Sequence, residues 1–441
     1  MRYVILFTLF VTAIFDVNAN SSAEINANDL TLKISISQSQ TSSPWSINYE
    51  FSEPISAMSF ENTPYSFIKR DWILKTEHSQ KIDFSELQFE LNGGSRRISL
   101  DIKSENDQFI RGFYTPFLNF SDGSNAIFLG HYLPTKVHCN GKWINVESLN
   151  LFLSINTLNE ENVLFSGSDN ISDLPVAPQD LRQYAYVGKS NYKHFGKFNV
   201  IVDPTLPPWI KKAYYKAIPE IYQYYEHHTH SKLIFEPLFI VNFNSGDMKP
   251  RQDGGVINKQ VAINFVGDDW QKNPEANMVN VLSLLAHEMA HLWNSQHWSL
   301  DNNKQVWMLE GGANYFAKNA LLGLGYISKK SYRNHFRVQA KKCIKALNHK
   351  TMANLTNRAD AYVCGEVIYY LTSQMLNGSN SLENWNNMAS RLENDEYDED
   401  DFIRALKRAK VNDNELAIVE ETLRGKNSEN FINLIDKYIN I

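Results

Sequence analysis

The hydrophobic pattern of this chain changes its period once, near residue 200, and that change bounds the folds open to it. Upstream, apolar residues alternate with polar ones, in Leu30, Leu32, Ile34 and Ile36 and again in Trp45, Ile47, Tyr49 and Phe51. Side chains two apart share one face of a strand, so these runs are strands with one buried face. The alternation returns around Ile98 to Ile102 and from Trp143 to Ile155, between clusters of Gly, Asn, Asp, Ser and Pro that mark turns.

Downstream the spacing becomes helical. Pro207 and Pro208 open a helix expected to run to about Tyr225, and strands are expected at Leu233 to Phe243 and Val261 to Phe265. Helices should then follow from Pro274 to Asn294, Val306 to Leu322, Ala359 to Leu376, and in several pieces from Leu382 onward. The acidic run from Glu393 to Asp401 reads as a solvated, flexible connection. A chain of 441 residues exceeds one ordinary core. The expectation is an α+β protein: an all-β, sandwich-like domain over 20–190, then a mainly helical domain over 191–441.

The first residues read as an export signal. Arg2 supplies a positive start, Tyr3 to Phe15 is almost wholly apolar, and Val17-Asn18-Ala19 offers a small residue for cleavage, which puts a signal peptide at 1–19. That run falls short of the ~20 residues a membrane-spanning helix needs, and no later segment reaches it. The mature chain is therefore expected in the periplasm or secreted, without a stable membrane span. A net charge of −6 supplies no field for nucleic acid. Three cysteines exclude a disulfide-framed scaffold; whether Cys343 and Cys364 pair, leaving Cys139 free, is open at this level.

The chemistry concentrates in His287-Glu288-Met289-Ala290-His291, set in an apolar helical stretch. Two histidines four apart project from one helix face, one turn apart, within reach of a single tetrahedral zinc. Glu288, beside the first, can act on the attacking water as general base without being a ligand.

Catalytic zinc usually keeps three protein ligands. Eighteen residues separate His291 from Glu310, which lies in Trp307-Met308-Leu309-Glu310-Gly311-Gly312-Ala313. With that spacing the sequence resembles the gluzincin aminopeptidases, which include the alanyl and glycyl aminopeptidase groups. Across about 200–380, the resemblance implies a thermolysin-like catalytic domain, one Zn2+ held by His287, His291 and Glu310, and a peptide or protein substrate. It also implies a later Tyr that steadies the oxyanion, followed by Gly three residues on; Tyr362-Val363-Cys364-Gly365 fits, and the alternative is that Tyr362, one of 21 tyrosines, merely packs.

Such enzymes carry a Gly-rich edge strand whose Glu grips the substrate's free amine. Here the stretch is Asp253-Gly254-Gly255-Val256-Ile257-Asn258, with no Glu. Gly254 and Gly255 can still bind an extended peptide through the backbone, and Asp253 is either an amine contact or a turn residue. Exopeptidase against endopeptidase action stays open.

Other readings compete. His287, His291 and His297 have the spacing of a three-histidine metzincin-type endopeptidase, with Asn294 where Gly is expected. His227, His228 and His230 cluster at a predicted helix end, where incidental surface residues suit the helix dipole. A non-catalytic peptide-binding protein on a peptidase fold would need no Glu288.

Overall fold

The structure, a computed structural model, describes residues 30–39, 44–75, 81–83, 87–104, 113–157, 162–165, 171–189, 192–272, 274–295, 299–300, 306–347, 350, 352, 355, 357–376, 396–425 and 429–439. The expected signal segment, His297 and the start of the acidic run lie outside the described residues.

The alternating segments build a nine-stranded sheet. At its centre Thr31–Gln38 pairs antiparallel with Trp45–Ser59 and parallel with Asn150–Asn156, with Leu32 opposite Leu151 and Ile34 opposite Leu153. Leu32, Ile34, Ile36, Trp45, Ile47, Tyr49 and Phe51 are all buried, on the face their period requires. One short helix, α1 (Tyr65–Asp71), interrupts these strands.

A second sheet of four strands (Asn162–Leu164, Tyr184–Gly188, Asn125–Phe128, Phe117–Asn119) packs on that face. Ile127, Ala185 and Val187 join the core shared with the large sheet, while Ala126, Phe128, Tyr184 and Tyr186 point the other way. There they meet Ile201, Ile240 and Ala262 of a third, five-stranded sheet. The middle sheet is thus apolar on both faces, which is why its strands read as continuous apolar runs. The Gln260 amide crosses this boundary, accepting from the Tyr184 backbone N–H (2.8 Å) and donating to its carbonyl (2.7 Å).

The five-stranded sheet runs in the order Lys193–His194, Asn199–Val202, Leu238–Asn244, Gln260–Val266, Arg251–Ile257. Phe239, Val241, Val261, Ile263 and Phe265 of its other face form the core with the helices. These are α2 (Pro208–Thr229), α3 (Pro274–Asn294), α4 (Gly312–Gly323), α5 (Lys329–Ala346), α6 (Arg358–Met375), α7 (Glu399–Arg408), α8 (Asp413–Leu423) and α9 (Glu429–Ile439). The architecture is α+β, strand-rich first and helical later, and among the described residues no helix is long and apolar enough to cross a membrane.

Three expectations need correction, and one helix is not among those expected. The strand expected from Leu233 begins at Leu238, after Pro237, which has no N–H to give a ladder. The helix expected from Val306 starts as a π-helical turn, Trp307–Gly311, before α4. Helix α5 announces itself only weakly in the sequence, because its buried stripe (Tyr332, Phe336, Ala340, Cys343) is one residue wide in a Lys- and Arg-rich stretch. Of the acidic run, Asp398 caps α7 in a reciprocal box with Asp401, and Glu399 to Asp401 form the first turn, where negative charge suits the helix dipole. Cys343 and Cys364 form a disulfide joining α5 to α6, and Cys139 is buried and free.

Candidate active site

Helix α3 is buried on nearly every side in its second half: Leu285, Ala286, Met289, Ala290, Leu292 and Trp293 all sit in the core. Two polar ties fix it further, as Tyr225 donates its hydroxyl proton to the Ala286 carbonyl (2.8 Å) and Trp293 its indole N–H to Ser231 (3.1 Å). What emerges on the remaining face is His287 and His291, with Nε2 atoms 3.1 Å apart.

Glu310 arrives from the π-helical turn, the kind of local widening that often marks a functional position. Its Oε2 lies 3.2 Å from His287 Nε2 and 3.5 Å from His291 Nε2. Ligand atoms on a tetrahedral zinc, at about 2.0–2.2 Å from the ion, stand about 3.3–3.6 Å from one another. The three separations, 3.1, 3.2 and 3.5 Å, come within about 0.2 Å of the spacing of a tetrahedral face, and the donor set of two imidazoles and a carboxylate fits zinc. Burial pushes the Glu310 carboxyl up, but hydrogen bonds and charge from His287 and His291 outweigh it and hold the group far below its usual range. Burial likewise works to lower His291, and the Glu310 carboxylate reverses it.

Glu288 points to the same place, its carboxylate within 4.8 Å of the imidazole nitrogens. It is buried, and desolvation raises its carboxyl above the usual value against the pull of His287 and His291. Gly254, on the edge strand Arg251–Ile257, lies directly against it. That strand is antiparallel to Gln260–Val266 through a two-residue turn, Asn258-Lys259, both at positive φ as a type I′ hairpin requires. Asp253 is accordingly a strand residue rather than a turn residue. It lines the cleft, ion-paired with Arg251 at 3.2 Å, with burial raising its carboxyl above the usual value.

Tyr362 reaches the site because two backbones touch. A β-carbon on Gly365 would stand 2.1 Å from the Trp307 carbonyl oxygen, and one on Gly311 2.6 Å from Gly365 itself. Only glycine at both positions allows this contact, which brings the start of α6 beside Glu310. Burial and the Glu310 charge push the Tyr362 phenol up to about 12. Arg358, one turn earlier, lies 3.6 Å from Glu310 Oε1 and 5.8 Å from the centroid of the Tyr362 ring.

These groups line one cleft of about 470 Å³. Its far wall comes from the strand-rich half, through Phe113, Tyr114 and Tyr184. Tyr114 donates its hydroxyl proton to Val256 (2.9 Å), stacks on Phe128, and covers Gly255. Its carbonyl accepts from His131 Nε2 at 2.7 Å. Sequence reading brought His287, Glu288, His291, Glu310, Tyr362, Gly254 and Gly255 to one site, as the structure does. It missed Tyr114 and Arg358, which no local motif distinguishes, and took Asn294 only for a mismatch in a three-histidine pattern.

No family model matches the sequence, and no curated protein matches it. Among solved structures, the chain is similar to an aminopeptidase N family protein from Idiomarina loihiensis, with a TM-score of 0.54 and 12% identity over 92% of this chain and 75% of that one. The likeness is one of fold.

Proposed function

We propose that the chain is a zinc-dependent metallopeptidase of aminopeptidase type, with a β domain over 20–190 and a thermolysin-like catalytic unit over 191–441. The observation that carries this reading is the meeting of two imidazoles and a carboxylate at tetrahedral spacing, in a cleft that also holds Glu288 and Tyr362. The fold likeness to an aminopeptidase N family protein supports it.

His287 and His291, through Nε2, and Glu310, through its carboxylate, would hold one ion. Zinc bound there supplies a Lewis acid for the scissile carbonyl and makes water nucleophilic at neutral pH. Glu288, buried and with its carboxyl raised above the usual value by desolvation, takes the proton of the attacking water and returns it to the departing amine. Tyr362 keeps its proton at neutral pH and donates a hydrogen bond to the oxyanion. Gly254 and Gly255 leave the edge strand's main chain free of side chains for an extended peptide. An amino-terminal preference needs a carboxylate for the substrate's ammonium, and Asp253 is the edge-strand carboxylate that lines the cleft. The Cys343–Cys364 disulfide suits an exported protein in an oxidising compartment.

The test is cleavage of a peptide library with free or acetylated amino termini by the zinc-loaded protein and by Glu288→Gln. Cleavage of free-amine peptides by the parent alone, at equal zinc content in both, is the expected result. Equal cleavage by both forms, or none by the parent, overturns the reading.

A further inference from the structure

The two histidines of the motif are not held alike. His287 Nδ1 is buried with no hydrogen-bond partner among the described residues. His291 Nδ1 sits 2.9 Å from Asn294 Oδ1. Asn294 is the last residue of α3, 1% exposed, and its Nδ2 lies 2.9 Å from the carbonyl oxygen of Leu309, the residue before Glu310. A carbonyl oxygen only accepts, so the amide NH2 must face Leu309 and the amide oxygen must face the imidazole. An amide oxygen also only accepts, so the proton of neutral His291 must be on Nδ1. Nε2 is then left with a free lone pair aimed at Glu310 and His287.

We propose that Asn294 is the positioning residue of this metal centre: one amide fixes the tautomer of His291 and ties the end of α3 to the turn that carries Glu310. Ligands from two separate elements are thereby held as one unit. The Asn294 backbone is itself anchored from the C-terminal part of the chain, where Tyr397 donates its hydroxyl proton to the Asn294 carbonyl at 2.9 Å. The inference rests on the reading of His287, His291 and Glu310 as a zinc set, and it names a dependence that the motif residues do not contain. Partners that orient a ligating imidazole commonly change metal affinity by about 10–100-fold.

The experiment measures zinc dissociation constants by chelator competition for the parent, Asn294→Leu and Tyr397→Phe, together with the thermal midpoint of each zinc-free form. Asn294→Leu should bind zinc about 10–100-fold more weakly. Tyr397→Phe, which leaves the amide in place, should lower the midpoint and keep the parent's zinc affinity. If folded Asn294→Leu binds zinc as the parent does, Asn294 is merely structural and the proposal fails. If the parent itself binds no zinc, the metal reading fails first. Should Asn294→Leu not fold, nitrogen NMR of the histidine-labelled zinc-free parent, at a pH high enough to leave the His291 ring neutral, decides: the one remaining proton on Nδ1 supports the proposal, and on Nε2 overturns it.

Discussion

The backbone of Gly254 lies against the carboxylate of Glu288, so close that a β-carbon there would stand 3.0 Å from Cγ and 3.1 Å from Oε1. The edge strand therefore sets the position of the proposed general base, and one methyl group is enough to move it. Gly254→Ala forces Glu288 to give way by a few tenths of an ångström and should lower turnover, by less than the about 100-fold that a full ångström of misplacement costs, with zinc content unchanged. Steady-state kinetics beside metal analysis would check this, and undiminished turnover would remove Gly254 from the site.

The two carboxylates should separate by phenotype. Glu310→Ala is expected to lose zinc itself, whereas Glu288→Gln keeps zinc and loses turnover. Metal analysis after gel filtration distinguishes them, and normal zinc in Glu310→Ala would overturn the assignment of Glu310 as a ligand.

Tyr362 makes its contribution as the reaction proceeds. Tyr362→Phe should lower kcat by about 100–1000-fold, the typical loss of one oxyanion donor, with little change in KM. A change confined to KM would make Tyr362 a substrate contact only.

Stability should depend on pH through His131. Burial holds its imidazole at about 4, against the usual 6.5, while the unfolded chain takes up its proton near the usual value. Between these values the unfolded state binds more protons, so the stabilisation is complete above pH 6.5 and falls by about 3 kcal/mol as pH drops to 4. Urea unfolding of the parent and His131→Gln at pH 7.5 and 4.5 would read the difference; equal losses in both would assign the acid sensitivity elsewhere.

The α5–α6 disulfide closes a loop with a sequence separation of 21, and Cys364 lies two residues beyond Tyr362. A loop of that length corresponds to about 3 kcal/mol of denatured-state entropy. Cys343→Ala with Cys364→Ala should unfold at correspondingly lower denaturant concentration, and an unchanged midpoint would leave the bridge without energetic weight.

Much of this was readable along the chain. A strand with one wet face advertises its period, so Leu30 to Phe51 could be assigned and their buried side known. His287, Glu288 and His291 need only one helix to come together, and Glu310 and Tyr362 carry glycines that their approach demands. What could not be read depends on partners distant in sequence. The parallel pairing of Thr31–Gln38 with Asn150–Asn156 has no local signature. Tyr114 enters the cleft only because the strand-rich half packs against the edge strand, where its hydroxyl meets Val256, and Asn294 matters only because the Leu309 carbonyl ends within its reach.

The middle sheet, greasy on both sides, makes the molecule's two halves mutually dependent. A polypeptide started after residue 190 would carry every proposed zinc ligand, yet would turn Ile201, Ile240 and Ala262 toward water and lose the Tyr114 wall of its cleft. Trimming toward a minimal catalytic fragment should therefore yield sticky, aggregating material, and engineering of this scaffold has to keep the strand-rich half attached.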